Sequence, residues 1–471
     1  MKAAYTGLIG ILTASFIHAD VHSWRNGGNG TYPKANAMFD WTDPSSLRWK
    51  IETPAKSNAS PILVRGKLFY CIEPATLVCA SADTGEILWQ TSYGYETLLA
   101  NSPSEKKKIK EAKSESIRIE EELAPLKREQ YKLARLLSQD KTNKLTESKL
   151  ASINADIQAL ENQIPEILKA LQKPETKEIN GYASYTPCSD GESVYTCTGL
   201  GIVAKFSLNG ERLWSKRMEW PDHPWGGASS PVLAGKKLIV RFADYVALDT
   251  ETGREIWRTP DPVAFGTPSL FQLEDQWFLY TIRGELIRVA DGKKLPSQDW
   301  TIEGKEHAFF NTNAISGNRI YAVHGASQLD GQAYCLEIPD TIPQLESSGL
   351  TLIWNASVDQ DRYYTSPLIH DGLIYLLSRN GIMQVLNDRS GKLNYSQKIP
   401  RLKDQCYAGL LLVGDKIYLG EENGNVIILE TGNEYREAKR FNIGECRSSP
   451  IFDGNTAYLR TLDALFAFRS Q

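Results

Sequence analysis

A short motif recurs along most of this chain and constrains its fold more than any other feature. The motif is a small polar step, a proline, four residues and a glycine, followed by an apolar and aromatic run, as from Thr365 to Tyr375. The proline, or Asn313 and Leu410 in its place, falls at 61, 187, 231, 268, 313, 367, 410 and 450. Six of the seven gaps span 37 to 54 residues. Eight repeats of about 42 residues have the period of β-propeller blades.

Each repeat predicts four short strands. The Pro-x-x-x-x-Gly step indicates a first strand, a tight turn and a second strand, and Asp371-Gly372 suits a two-residue turn in which both positions need a positive φ. A third strand, a Thr-Gly turn and a fourth strand with an aromatic residue follow, most clearly from Ala247 to Trp257. The same ten-residue spacing ends at Trp89, Trp214 and Tyr395.

The two ends of the chain are expected to build one blade together. The last repeat stops at Phe468, before any fourth strand. The segment from Leu47 to Pro54 has the pattern of that missing strand, with Trp49 at the aromatic position. Pairing of these two segments would close the ring and remove the exposed sheet edges that promote aggregation.

The spacing Ala-x-Asp-x-x-Thr-Gly-x-x-x-Trp resembles the tryptophan-docking repeat of pyrroloquinoline-quinone-type β-propellers. That family includes quinoprotein alcohol dehydrogenases and the non-catalytic scaffold lipoprotein of bacterial outer-membrane assembly. The leader from Trp24 to Gly30 is also similar to leaders of bacterial members. The resemblance covers residues 45–100 and 180–471. It implies an all-β, eight-bladed propeller with four-stranded blades, whose tryptophans pack between neighbouring blades.

A different kind of sequence interrupts the repeats at 103–175. It lacks glycine, is rich in Glu, Lys, Leu and Ile, and carries a seam spaced three and four residues apart at Leu150, Ile153, Ile157, Leu160, Ile164, Ile167 and Leu171. That spacing predicts an antiparallel helical hairpin on the channel face, with a kink at Pro125. The alternative is a partly disordered charged linker. We therefore divide the chain into residues 20–100 (leader, closing strand and blade 1), 101–178 (hairpin) and 179–471 (blades 2–8).

The N-terminus and the cysteines favour export. Residues 1–19 combine Lys2, an apolar run and a small residue at Ala19, which predicts a cleaved signal peptide and a periplasmic or secreted protein; a short buried helix is the alternative. No apolar run long enough to span a membrane follows. Among the seven cysteines, Cys71 and Cys79 flank a predicted turn and are a candidate disulfide. A bridge between blades, Cys406 to Cys446, is a second option.

Little in the sequence indicates catalysis. The net charge of −4 gives no basic field for a nucleic acid. The motifs of serine hydrolases, zinc proteases, P-loop enzymes and calcium loops are absent. Quinoprotein dehydrogenases carry two adjacent cysteines over the cofactor, and no adjacent pair exists here. We therefore expect no catalytic residue, no metal and no cofactor; pyrroloquinoline quinone enters only through the resemblance.

The channel mouth is the remaining candidate site. Residues just before each anchor position should enter the innermost strands there, and they make a polar and aromatic ring with one cation: Asn58, Tyr185, Ser229, Asn311, Tyr364, Thr365, Tyr407 and Arg447. This ring either binds a ligand or peptide or lines a water-filled channel. His223, in an aromatic loop from Trp220 to Trp225, either joins that site or packs at the rim. The favoured function is a non-catalytic scaffold that binds an envelope protein through the hairpin or channel face; the alternatives are a quinone-dependent dehydrogenase or another propeller enzyme.

Overall fold

The computed structural model describes residues 19–470 except 100–102, 140–141, 166–172, 175, 177–179, 224, 262–264, 299, 301–308 and 328. The predicted signal peptide therefore lies almost entirely outside the described residues, as do Ile167 and Leu171 of the predicted seam. Within the described part, eight sheets follow one another along the chain, and each contains one four-stranded antiparallel blade. The predicted eight-bladed propeller is confirmed.

The strands of each blade run in order from the channel outwards. Blades 1 to 4 consist of Ile62–Val64, Lys67–Ile72, Thr76–Ser81 and Ile87–Ser92; Cys188–Ser189, Ser193–Thr198, Ile202–Ser207 and Arg212–Arg217; Val232–Ala234, Lys237–Arg241, Tyr245–Asp249 and Glu255–Thr259; and Ser269–Leu273, Gln276–Tyr280, Leu286–Arg288 and Lys294–Leu295. Blades 5 to 8 consist of Ala314–Ser316, Arg319–His324, Gly331–Glu337 and Thr351–Val358; Leu368–His370, Leu373–Leu377, Ile382–Asn387 and Leu393–Lys398; Leu411–Val413, Lys416–Gly420, Asn425–Glu430 and Glu437–Asn442; and Ile451–Asp453, Thr456–Arg460, Ala464–Arg469 and Leu47–Glu52.

Blade 8 closes the ring as the sequence predicts. Its outermost strand, Leu47–Glu52, pairs antiparallel with Ala464–Arg469, so that Trp49 lies opposite Ala467. A short 3-10 helix, Pro44–Ser46, precedes the closing strand, and the Asp43 side chain caps it by accepting from the Ser45 amide. Both chain ends are thus fixed in one sheet.

Tryptophans on outer strands hold adjacent blades together. Trp89 of blade 1 covers Gly210 in the turn of blade 2, where a Cβ would lie 2.7 Å from the indole and φ is +90°. Only glycine fits that turn without strain. The indole N–H donates to the Leu208 carbonyl at 3.2 Å. The same contact recurs for Trp49 on Gly85, Trp214 on Gly253, Trp257 on Gly292 and Trp354 on Gly391.

A belt of hydroxyls joins the innermost strands around the channel. The residue before each anchor position is Ser or Thr in seven blades, and its hydroxyl bonds to the backbone of a neighbouring blade; for example, Thr186 accepts from the Ser60 amide at 3.0 Å. Six amide bonds of this kind are accepted by Thr186, Ser230, Thr267, Ser366, Ser449 and Ser60. At a seventh junction Thr312 instead donates to the Thr267 carbonyl. Blade 7 breaks the pattern with Gly409.

The leader enters the channel, which the sequence did not predict. Val21 forms a bridge with Leu63 of blade 1, and Thr31–Tyr32 pairs in parallel with the inner strand of blade 7. Between these contacts residues 23–30 form a loop inside the channel, and we call residues 19–32 the plug. Farther along, Phe39 and Trp41 are buried in the largest apolar cluster.

The insertion after blade 1 is helical. Helix α1 (Tyr95–Leu99) leads to α2 (Pro103–Gln139) and α3 (Lys144–Glu161), and a short α4 (Ile342–Ser348) lies in blade 5. Helices α2 and α3, here called the arm, pair through a seam that includes Leu123 and Ile157, and Lys127 pairs with Glu161 at 2.9 Å. The predicted hairpin is confirmed. Helix α2 continues through Pro125, which lies on an exposed face, and the kink predicted there stays a prediction.

The predicted disulfide is wrong. Cys71 and Cys79 are free, buried thiols on adjacent strands, but the register places Cys71 opposite Leu77 and Cys79 opposite Phe69. The two side chains are therefore diagonal neighbours, farther apart than directly opposed residues. Cys406 and Cys446 are likewise free and buried.

Candidate functional site

The channel mouth contains a cavity of about 480 Å³. Its wall is set by the alternation of an extended chain, in which successive side chains point to opposite sides. The third residue before every anchor position and the first before seven of them line the cavity. The second is buried in five blades and lines the cavity in the other three, as Gly266, Asn311 and Ala408. In blade 6, for example, Arg362, Tyr364 and Ser366 line the cavity, while Tyr363 and Thr365 are 1% and 2% exposed.

Alternation separates the predicted mouth residues into two groups. Five line the cavity: Asn58, Asn311, Tyr364, Tyr407 and Arg447. The other three occupy the second position and are buried away from the cavity. Tyr185 is fully buried against Phe242, Ser229 is 3% exposed, and Thr365 donates to the Leu377 carbonyl at 3.1 Å. Asn311 also occupies the second position, and its amide donates to the carbonyls of Val323 and Tyr363 as a structural bridge.

Sequence reasoning missed four wall residues at the third position. They are Ser184, Ala228, Phe265 and Phe310. Counting back three residues from each anchor finds the complete ring, Asn58, Ser184, Ala228, Phe265, Phe310, Tyr364, Tyr407 and Arg447. The signal was therefore present in the repeats, but its use requires the two-residue period of an extended strand.

One half of this ring is a continuous row of aromatic side chains from blade 4 to blade 7. Phe265 stacks on Phe310 with ring centroids 5.6 Å apart, Phe310 meets the edge of Tyr364 at 5.2 Å, and Tyr364 contacts Tyr407 at 5.1 Å. His223 extends the row by packing on Phe265 at 4.5 Å. We call Phe265, Phe310, Tyr364 and Tyr407 the aromatic arc. The opposite half of the ring has no aromatic residue and consists of Asn58, Ser184, Ala228 and Arg447.

The plug forms part of the cavity wall through Trp24. Beside it Arg25 is 1% exposed, and its guanidinium lies 5.4 Å from the Trp24 ring centroid. The guanidinium donates to the backbone carbonyls of Leu410 at 2.8 Å and Gly28 at 3.2 Å, with longer bonds to Asn29 and Pro367. Burial lowers the pKa of Arg25 to about 10. A charged arginine therefore lies beside Trp24, which forms part of the cavity wall.

Arginines are the charged groups of the cavity wall. Arg447 is paired with Glu422 at 2.5 Å, so the predicted cation of the ring is neutralised by a carboxylate. Arg362 is half-buried, and its guanidinium makes no ion pair or hydrogen bond with a described residue. Burial raises the pKa of Tyr407 to about 12, with a further contribution from the Glu422 charge, so this phenol stays neutral at physiological pH.

The wall does not suit a quinone held by a hard cation. Such cations prefer carboxylate and other oxygen ligands, and the described wall residues include hydroxyls and amides but no Asp or Glu. Within the described ranges, no cluster of three or more His, Cys, Asp or Glu side chains is arranged to hold a metal. We assign no catalytic step to this cavity.

The loop before blade 3 lies at the same mouth. His223 Nδ1 accepts from the Trp225 amide at 3.1 Å, and both residues line the cavity. The Trp225 carbonyl accepts from Asn180 at 2.8 Å, just after the helical insertion. Trp220 donates to the hydroxyl of Tyr95 in α1 at 2.6 Å. These bonds connect the mouth to the base of the insertion.

Comparison with known proteins agrees with the repeat geometry. The family model described as outer membrane protein assembly factor BamB matches residues 199–336. A curated relative, the outer membrane protein assembly factor BamB of Salmonella typhimurium, is 27% identical over 269 residues. These matches agree with the resemblance of the repeats to pyrroloquinoline-quinone-like propellers. The match covers 53% of this chain and 64% of the relative, so it spans somewhat less than two thirds of that relative's length.

Several solved structures share the fold of this chain. BamB from Moraxella catarrhalis superposes with a TM-score of 0.55 at 10% identity, covering 90% of this chain and 97% of that one. A europium-containing methanol dehydrogenase also gives 0.55, at 11% identity, covering 95% and 98%. The BamB structure and the methanol dehydrogenase are thus equally similar to this chain in fold, and function must be argued from the site. None of the helices in the described part of the chain is both long and apolar enough to cross a membrane.

Proposed function

We propose that this chain is an exported, non-catalytic scaffold that binds other envelope proteins through its channel face and its arm. The sequence match to BamB, whose name states a part in outer-membrane assembly, supports the cell envelope as its location and a protein as its partner. The cavity wall supports binding rather than catalysis, because its residues are aromatic rings, hydroxyls, amides and arginines without an acid–base pair.

The arm carries the observation that best supports a protein partner. Ile117, Tyr131, Leu136 and Leu145 are 46% to 73% exposed on it, whereas Leu123 and Ile157 are buried in the seam. Pairing of the two helices therefore leaves large apolar side chains uncovered. Exposed apolar surface of this kind is typical of protein interaction sites. An amphipathic helix of a second envelope protein is the partner that fits a paired-helix surface.

The test replaces residues 103–175 with a short Gly-Ser linker. The eight blades keep their own cores, so we expect a cooperative melt to remain, while partners recovered by pull-down from native envelope extract are lost. Two double variants distinguish apolar contacts from charged contacts as the cause of partner binding. Tyr131→Ser with Leu145→Ser should lose the partner, and Lys107→Ser with Lys110→Ser should keep it. Retention of every partner by the folded, shortened chain would show that the arm is not the binding surface.

The dehydrogenase alternative has its own test. Purified protein with pyrroloquinoline quinone, calcium, an alcohol and a dye acceptor should reduce no dye. Robust reduction would replace the scaffold function with the enzymatic one.

A further inference from the structure

The aromatic arc, Arg362 and the plug together indicate which kind of ligand the cavity binds. The ring centroids of the arc are 5.1 to 5.6 Å apart, within the range in which aromatic rings attract one another. The arc covers one side of the wall, and small residues such as Ser184 and Ala228 leave room on the other. A further aromatic ring therefore fits beside the arc.

The charge of the wall selects an anion. Arg362 is two residues from Tyr364 on the same side of an extended segment, so both side chains line the same side of the cavity. Its side chain makes no bond with the described residues, and none of the described wall residues is a carboxylate that could pair with it. Arg25 adds positive charge below Trp24. Guanidinium groups bind carboxylates through paired, charge-assisted hydrogen bonds.

The plug makes the cavity suitable for the end of a ligand chain rather than for a chain that runs through the channel. Residues 23–30 lie inside the channel, and Trp24 lines the cavity, so a chain that enters at the mouth meets the plug. Gly27 and Gly28 have no atom within 4 Å of an added Cβ, which leaves free space around the tip of the loop. A ligand must therefore present its ring and its carboxylate close together at its end.

We propose that this cavity binds the C-terminal aromatic residue of a peptide, with the ring packed on the aromatic arc and the terminal carboxylate paired with Arg362. Capture of a chain end by its carboxylate is an established mode of peptide recognition. The proposal deepens the proposed function, because it names a partner chemistry for the channel face. Its test leaves the arm intact, so peptide binding in the cavity and partner binding by the arm can fail separately.

The experiment measures binding of a labelled hexapeptide that ends in Phe with a free carboxylate, by fluorescence anisotropy with the full chain. The same peptide with a C-terminal amide, and one that ends in Ala, should each bind about 10- to 100-fold more weakly, since each lacks one of the two recognised groups. Arg362→Met should weaken the free acid by a similar factor and leave the amide unchanged. Arg389→Met, an exposed arginine outside the cavity, should change neither.

Three results would overturn the proposal. Equal binding of acid and amide would remove the carboxylate contact. Equal losses for both peptides in Arg362→Met would show that the arginine acts on the fold rather than the ligand. Binding of free 3-phenylpropanoate as tightly as the peptide would mean that the site takes a small aromatic acid and not a chain end. Tyr364→Ala, checked by its melting temperature, gives a second variant that should weaken all ring-bearing ligands.

Discussion

At the scale of single residues, the docking tryptophans are expected to carry much of the stability. Trp89 fills the space between blades 1 and 2 and donates to Leu208. Trp89→Ala should lower the free energy of unfolding by about 3 to 5 kcal/mol, because a large cavity and an unpaired carbonyl remain. Urea denaturation measures it. Trp225→Ala is the matched control, since that indole is 41% exposed at the mouth and its loss should cost little. Equal effects would argue against docking as a source of stability.

A second residue-scale prediction concerns acid. His324 is buried among Phe309, Trp300 and Tyr334, and burial lowers its pKa to about 3. Below pH 6.5 the unfolded chain takes up a proton that the folded chain refuses, so stability is lost as pH falls from 6.5 towards 3. Between pH 7 and pH 4.5 this single group should cost about 2 to 3 kcal/mol.

His324→Phe should remove that part of the difference between urea unfolding at pH 7 and at pH 4.5. His370→Phe, near the surface beside Asp371, should keep the full difference. If both variants behave alike, His324 is not the source of the acid sensitivity.

At the scale of elements, the plug completes the hydroxyl belt. The junction between blades 6 and 7 lacks a hydroxyl because Gly409 stands there, and the Arg25 guanidinium instead joins the carbonyls of Pro367 and Leu410. A Cβ on Gly409 would lie 2.7 Å from the Arg25 side chain. The plug therefore packs at the position where Gly409 replaces the Ser or Thr of the other repeats.

The other repeats have Ser or Thr at the position of Gly409, but this geometry predicts that such a residue would destabilise the protein here. Gly409→Ser should destabilise the protein by about 1 to 3 kcal/mol through overpacking and should expose the leader to protease. The same change in an Arg25→Ala background should cost less, because its steric partner is gone. Additive losses in the double variant would show that the two residues do not compete for the same space.

The elements also show which parts of the structure are accessible from sequence. Blade count, strand order and closure by Leu47–Glu52 depend on local patterns that repeat, and all were predicted. The plug was not, because its loop has no periodic pattern and the carbonyls bound by Arg25 lie 342 and 385 residues away. The cavity wall was predicted in part. The anchor positions show where the chain reaches the wall, but only the alternation of side chains along the strand shows that Tyr185, Ser229 and Thr365 are buried.

At the scale of the whole molecule, the buried phenols and thiols predict alkaline unfolding. Burial raises the pKa of Tyr70, Tyr407 and Cys79 to about 12, and that of many other tyrosines upwards. Above about pH 9 to 10 the unfolded chain loses protons first, so the stability from these groups declines as pH rises to 12. Arg25 and Arg460, whose pKa values burial lowers to about 10, act in the opposite direction but are far fewer.

We therefore expect the melting temperature to fall steeply between pH 10 and pH 12. Ultraviolet absorbance of tyrosinate should rise together with the loss of far-ultraviolet circular dichroism, since most phenols ionise only when exposed. Tyrosinate that appears well before the loss of secondary structure would contradict this account.

Closure by the first and last strands also sets an order of events during synthesis. The closing strand has no partner until Ala464–Arg469 has been made, more than 400 residues later. At about 5 to 20 residues per second, the ribosome needs roughly 20 to 80 seconds for that stretch. For this time Trp41 lacks the aromatic partners that it has in the last two blades, and the growing propeller is an open ring. A protein of this design has a long interval in which a chaperone, or a second nascent copy, meets an unfinished edge.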